Sequence, residues 1–148
     1  MGLSTYSTEN TIKTRVQTIS HVDVYDDEIP FETPSATPRK DSNGVILPYI
    51  NLYYGGPREA AGDRGLCGPQ YHGTIAYVTA QINGGTAEMV RRVKDLVVEK
   101  LVGWVPDDNS GYLRLEGSVS YRKASTTTMP KLYVYEVAFS YRSNMGRG

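Results

Sequence analysis

The sequence predicts an α+β fold, with a mostly antiparallel sheet of about five strands and two helices packed on one face. Two segments carry apolar residues at helical spacing, whereas five others show the alternation of strands. The 148 residues show no internal repeat and are the usual size of one domain. We therefore expect a single domain over residues 1–148, with residues 1–6 and 143–148 flexible and two long loops serving as oligomerisation arms.

The first predicted helix is short and amphipathic. Ile12, Val16 and Ile19 recur at helical spacing on one face, and Ser7 or Thr8 is placed to cap the first turn. Threonine is a weak helix former, so we expect this threonine-rich helix to depend on packing against the sheet.

Strands are predicted at residues 21–26 and 45–54, separated by a polar segment with three prolines at four-residue spacing. Proline removes a backbone donor and fixes φ, which argues against a helix or a central strand in that segment. A second long connection, residues 55–73, is rich in glycine. Connections of this length are usually functional or disordered.

The other three strands are predicted at residues 74–83, 112–122 and 131–142. Gly117-Ser118 interrupts the alternation of the middle one and indicates a β-bulge. The last strand is apolar on both faces, which is typical of a strand inside a sheet.

The second helix follows a Gly-Gly turn and is the strongest pattern in the sequence. Thr86 can cap it, Glu88 and Arg92 are spaced for an ion pair, and Gly103 and Pro106 end it. Its apolar stripe consists of Met89 or Val90, Val93, Leu96 or Val97, and Leu101.

Composition narrows the function classes. The 16 basic and 16 acidic side chains give a formal net charge of 0, which disfavours a nucleic-acid binder and favours association. Cys67 is the only cysteine, so no intrachain disulfide can form and a reducing compartment is expected. No apolar run is long enough to span a membrane, and residues 1–10 lack the layout of a signal peptide. We expect synthesis in the cytoplasm and no membrane partner.

The sequence shows no catalytic or metal-binding pattern. His21 and His72 are the only histidines, and with Cys67 they do not supply the ligands of a zinc site. A nucleophile–base pair of Cys67 and His72 would lack an oxyanion hole. We therefore predict no catalytic residue, no metal and no cofactor. The acidic run 26–28 is interpreted as a solvated loop or as part of an ion pair between subunits.

Several segments, spread over residues 11–142, carry a further pattern. They are Val22-Asp23-Val24-Tyr25, Glu28-Ile29-Pro30, Asn43-Gly44-Val45 before Pro48-Tyr49-Ile50, Ala76-Tyr77-Val78-Thr79-Ala80-Gln81, Leu101-Val102-Gly103-Trp104-Val105-Pro106 and Tyr133-Val134-Tyr135-Glu136-Val137-Ala138-Phe139. With the N-terminal helix before them and a terminal hairpin after the second helix, they resemble the tail terminator family of siphophages, particularly those of actinobacterial phages.

The resemblance implies a virion protein that forms a hexameric ring on the head-proximal end of the tail tube. Such a ring stops tube polymerisation and joins the tail to the head-to-tail connector or head-closure protein, while DNA passes through the lumen without sequence-specific binding. The expected partners are further copies of the chain, the tail tube protein and the connector. A closing ring needs two different patches per subunit. We place them at Tyr25, Pro30, Phe31, Arg58, Asp63, Arg64 and Tyr71.

Two alternatives stay open. Another neck, head-closure or tail tube component would share the size, the neutral charge and the long loops, although the strong second helix is unusual for a tube subunit. A small-molecule-binding or hydrolytic α+β domain would use a sheet face lined by some of the 12 tyrosines. Such a site needs convergent titratable groups in a pocket, whereas tyrosine also suits strands with one edge in water.

Overall fold

The described part of the chain contains two helices and five strands, which follow one another in the predicted order. The computed structural model describes residues 6–26, 38–59, 74–108, 110–123 and 132–143. The elements are α1 (Tyr6–Val16), β1 (Asp23–Asp26), β2 (Tyr49–Glu59), β3 (Thr74–Gly84), α2 (Ala87–Leu101), β4 (Arg114–Lys123) and β5 (Leu132–Ser143).

The strands form one sheet in the order β1-β2-β3-β5-β4. β3 pairs antiparallel with β2 and β5, and β5 pairs antiparallel with β4, whereas β1 joins β2 in parallel. The predicted α+β class with a mostly antiparallel sheet is confirmed. β5, which is apolar on both faces, lies inside the sheet as predicted.

Both helices pack on the same face of the sheet, also as predicted. The register pairs Val78 with Phe139, so alternate residues of β3 and β5 point together toward the helices. Burial of each large apolar side chain in this core contributes about 1.5–3 kcal/mol to folding. The core includes Ile12, Val16, Ile50, Leu52, Val78, Ile82, Val90, Val93, Val97, Leu101, Val137 and Phe139.

α2 begins and ends as its sequence predicts. Thr86 Oγ1 accepts a hydrogen bond from the Met89 backbone N–H at 3.3 Å. The Glu88–Arg92 ion pair forms at 3.1 Å on the solvent side. Gly103 has φ +79°, a left-handed conformation that glycine adopts without steric cost and that turns the chain away from the helix axis.

The opposite face of the sheet, here called the outer face, is covered at one end by residues 38–48. Lys40 and Ile46 form an antiparallel bridge, and Ile46 is completely buried. This small second cluster contains Ile46, Tyr49, Leu132 and Val134, with Tyr25 packed against it.

Several predicted boundaries are wrong. α1 already includes Ser7 and Thr8, so neither caps it, and the buried Thr8 hydroxyl instead donates to Asp107 Oδ2 at 2.7 Å. β1 starts at Asp23 because His21 has φ 63°, which interrupts extended backbone. Ser143, expected in a flexible tail, is the buried last residue of β5.

β2 is displaced along the chain relative to its prediction. It begins at Tyr49 rather than residue 45, because the Asp41 carboxylate accepts hydrogen bonds from the backbone N–H groups of Asn43 and Val45 and closes a turn there. It runs on to Glu59 instead of ending at residue 54, and a shift in its register with β3 carries it past the glycines.

Candidate assembly interface

β4 is exposed to solvent on both of its faces. Residues 114–122 are all exposed, although every one of them belongs to the strand. The cause is the position of the helices: α2 packs on β3 and β5, and α1 packs on α2 and β1. Neither of the two described helices packs closely over β4.

The exposed strand carries large apolar side chains. Leu115 is 50% exposed on the helix face, while Val119 and Tyr121 are 54% and 39% exposed on the outer face. A predicted bulge is confirmed here, because the register with β5 shifts between Leu115 and Gly117. Apolar groups left in water on both faces of one strand favour a partner that covers them.

β4 is also an edge strand of the sheet. The backbone groups on its side away from β5 pair with no other strand of the described part of the chain. Its 10 residues make a long edge. Its bulge and its charged residues Arg114 and Arg122 limit indiscriminate pairing with strands of other chains. Such an edge can accept a strand or an extended segment from another chain.

A groove of about 410 Å³ lies between α2 and the β4–β5 pair, and we call it the α2/β4 groove. Buried Val90 and the half-buried Tyr133 and Tyr135 supply its apolar part, while Arg91 and Arg122 supply positive charge. None of the described carboxylates lines it. The lining residues are Ala87, Val90, Arg91, Ser120, Tyr121, Arg122, Tyr133, Val134 and Tyr135.

Lys94 adds a further cation beside this groove. Its Nζ lies 5.2 Å from the centre of the Tyr135 ring and 2.6 Å from Asp95 Oδ1. The hydrogen bond with Asp95 raises the pKa of Lys94, so the ammonium stays charged over the tyrosine ring.

A second depression, of about 530 Å³, lies where α1 meets the end of α2. The Arg15 guanidinium stacks over Trp104 at 4.6 Å from the ring centre, and Arg15 Nε donates to the Lys100 carbonyl at 2.8 Å. These contacts hold α1 against α2, so we interpret the depression as a structural junction. Trp104 follows the end of α2, and its backbone N–H donates to the Leu101 carbonyl at 3.1 Å.

A polar row crosses the outer face. Asn51 Nδ2 donates to Gln81 Oε1 at 3.1 Å, and Gln81 Nε2 donates to Glu136 Oε1 at 3.3 Å. Burial, and then the negative charge of Glu136, raise the pKa of Tyr121 at the end of this row. A tyrosine with a raised pKa stays neutral at physiological pH, which makes it a poor general base.

No constellation for catalysis or metal binding exists among the residues described. No group of three or more His, Cys, Asp or Glu side chains there could hold a metal ion. His21 lies on an exposed turn, and Cys67 and His72 lie outside the described residues. Neither described helix is long and apolar enough to cross a membrane.

The sequence matches no protein-family model and no curated protein. The fold is similar to that of a virion chain. That chain belongs to the virion of a native gene transfer agent (GTA) particle, and the match has a TM-score of 0.53 with 14% sequence identity. It covers 96% of this chain and 95% of that chain, so the likeness in fold extends over nearly all of both.

Only two of the predicted interface residues lie in the described part of the chain. Tyr25 is half-buried in β1 and meets Tyr49 edge-to-face at 5.9 Å between ring centres. Arg58, predicted on a loop, lies in β2 opposite Ile75, because β2 continues past the glycines. The other five, outside the described residues, are Pro30, Phe31, Asp63, Arg64 and Tyr71.

Sequence reasoning identified β4 as a strand but missed its exposed position at the edge of the sheet and the groove beside it. Alternation identifies a strand but does not say which strands are its neighbours. The exposure of Leu115 and Val119 follows from strand order, since β4 pairs with β5 and with no other described strand.

Proposed function

We propose that this chain is a structural virion protein that assembles into a closed hexameric ring. The ring caps the head-proximal end of a tail tube, ends tube polymerisation and joins the tail to the head connector. The observation that carries the proposal is β4, a 10-residue edge strand exposed on both faces. The similarity in fold to a chain of a GTA virion supports the same reading.

The two edges of the sheet are suited to a head-to-tail contact. β1 is a strand of 4 residues at one edge, whereas β4 has 10 residues at the other, so the edges differ in length and side chains. A contact between two different patches repeats with a fixed rotation, and it closes into a ring when that rotation divides a full turn. β4 of one subunit facing β1 of the next is such a contact.

The remaining partners follow from this role. One side of the ring contacts the tail tube protein and the other contacts the connector or head-closure protein. DNA passes through the lumen without sequence-specific binding, in keeping with a formal net charge of 0. The role is not enzymatic, and its place is the tail or neck of the virion after synthesis in the host cytoplasm.

A tail tube or other neck component is the second candidate, favoured by the length of the β4–β5 hairpin. Its two strands have 10 and 12 residues, and β4 forms the exposed edge of the sheet. A tube subunit stacks without limit, whereas a terminator forms one ring. Electron microscopy of the purified chain separates the two, because open-ended tubes support the second candidate.

A small-molecule site is the third candidate, favoured by the α2/β4 groove. Its volume of about 410 Å³ is in the range of small-ligand sites. Among the described residues, its lining has two arginines and no carboxylate, histidine or cysteine, so binding is better supported than hydrolysis. A compound that co-purifies with a stable monomer would favour this candidate.

The decisive test of the proposed function is tube capping. The purified chain is added to growing tubes of the tail tube protein from the same phage, and lengths are measured by negative-stain microscopy. We expect shorter tubes, each with a ring at a single end. Unchanged lengths and bare tube ends would refute the capping role.

A further inference from the structure

The α2/β4 groove carries positive charge that the described part of the chain does not neutralise. Arg91 and Arg122 line it, and neither makes an ion pair with another described residue. Val90, Tyr133 and Tyr135 line the same groove. An occupant with both carboxylates and apolar side chains would match this surface.

Residues 27–32 have this chemistry. Their sequence, Asp-Glu-Ile-Pro-Phe-Glu, brings three carboxylates and three apolar side chains, one of them aromatic. The proline fixes φ and disfavours helix, which leaves an extended segment as its natural bound form. Phe31 suits the two tyrosines of the groove, because aromatic pairs gain from edge-to-face contact.

The topology keeps the first two carboxylates of this segment away from the groove of their own chain, so docking of the whole segment requires a neighbouring copy. β1 and β4 are opposite edges of the sheet, with three strands between them. At about 4.8 Å per strand, the groove beside β5 and β4 lies about 14–19 Å from β1. Asp27 and Glu28 directly follow β1, so they extend at most about 7 Å from it.

We propose that residues 27–32 of one copy bind the α2/β4 groove of the next copy. Their carboxylates pair with Arg91 and Arg122, and their apolar side chains pack against Val90 and the tyrosines. The inference rests on the proposed ring function. It supplies the two unlike, complementary patches that a head-to-tail contact requires.

Peptide binding tests the groove directly. The receptor is the full chain with D27K/E28K/E32K, whose own segments no longer compete, and the probe is a fluorescein-labelled peptide of residues 26–34. We expect R91E/R122E in this receptor to weaken binding about tenfold or more, because two charge pairs are reversed. Equal binding to both receptors, or preference for a single-stranded oligonucleotide over the peptide, would overturn the proposal.

R92E in the same receptor is the matched control. Arg92 is adjacent to Arg91 but pairs with Glu88 on the solvent side of α2, and it does not line the groove. We expect R92E to bind the peptide as the parent receptor does. A loss as large as that of R91E/R122E would show that net charge, not the groove, governs binding.

Charge exchange tests whether the contact joins two copies. R91E/R122E and D27K/E28K/E32K, each confirmed as folded by circular dichroism, are expected to remain monomeric alone. Mixed in equal amounts they should recover the wild-type oligomer, because each segment then meets a groove of opposite charge. If mixing the two variants does not recover the oligomer, while a single chain that carries both sets of changes does, the proposed contact between copies is overturned.

The docking proposal and the ring function fail in different ways. If the wild-type chain forms rings and R91E/R122E forms them equally well, docking is refuted and the ring stands. If the peptide binds the groove as expected but the wild-type chain never closes into a ring, docking stands and the ring function is refuted.

Discussion

At the scale of single residues, burial and chemistry conflict at Tyr141. This tyrosine is in the core, 2% exposed, and its hydroxyl has no hydrogen-bond partner among the described residues. Burial, and then the negative charges of Glu9 and Asp107, raise the pKa of Tyr141 well above its usual value. The ring therefore contributes packing, while its hydroxyl costs about 1–3 kcal/mol of desolvation.

Y141F is expected to stabilise the protein at neutral pH by about 1 kcal/mol, because it removes the unpaired hydroxyl. The effect should grow in alkali. Tyrosine ionises near pH 10 in the unfolded chain and later in the folded one, so wild-type stability falls as pH rises above about 10. Urea unfolding at pH 7 and pH 10.5 measures both effects. Y112F, at an exposed tyrosine, should produce neither the gain in stability at pH 7 nor the larger gain at pH 10.5. Destabilisation by Y141F would contradict an unpaired hydroxyl at Tyr141.

Phe139 and Leu115 face each other across β5 and β4 but differ in burial. Phe139 is completely buried, so F139A should cost about 3–5 kcal/mol of unfolding free energy. L115A should cost about 0.5 kcal/mol, since half of its side chain is already in water. Urea titration compares the two. A cost for L115A close to that of F139A would mean that β4 is covered within the monomer.

At the scale of elements, close approach decides which glycine can be replaced. Gly85 joins β3 to α2, and a Cβ there would lie 2.5 Å from Val45 Cγ1 and 2.9 Å from the Ile46 backbone N. Gly117, in the bulge of β4, has nothing within 4 Å of the same position.

G85A is expected to destabilise the chain by about 1–3 kcal/mol, because residues 45–46 would have to move away. G117A should be close to neutral. Thermal unfolding of both variants checks the difference. Equal unfolding temperatures for G85A and G117A would show that residues 45–46 move away from position 85 without a cost in unfolding free energy.

The elements could be predicted from local pattern, while the candidate site could not. The stripe from Val90 to Leu101 and the alternation of β3 and β5 identify helix and strands, because each periodicity is a local property. β2 was misplaced because its start depends on the Asp41 turn, and its end on pairing with β3. The exposure of β4 depends on strand order, which arises from contacts distant in sequence.

At the scale of the whole molecule, part of the sheet is covered by other elements, whereas β4 is exposed. The helices bury the middle of one face, residues 38–48 cover one end of the other, and β4 extends beyond both. A strand with exposed apolar groups and an open edge tends to associate, and its charged residues and bulge make that association selective. The proposed ring is the assembly in which every β4 edge has a partner.

V119K is expected to lower assembly while leaving monomer stability within about 0.5 kcal/mol of wild type. The added charge would have to be desolvated at the β4 contact. V105K is the control, since Val105 is 51% exposed, close to the 54% of Val119, but lies outside β4. Sedimentation velocity measures the oligomer fraction. Equal loss from both substitutions would contradict a contact through β4.

The central claim is that the chain closes into a ring of fixed size. The most direct measurement is native mass spectrometry of the purified wild-type chain over a range of concentrations, with and without tail tubes. A single oligomer of six subunits, with no larger species as concentration rises, is the predicted result. A monomer under every condition, or an unbroken series of masses from an open polymer, would contradict the claim.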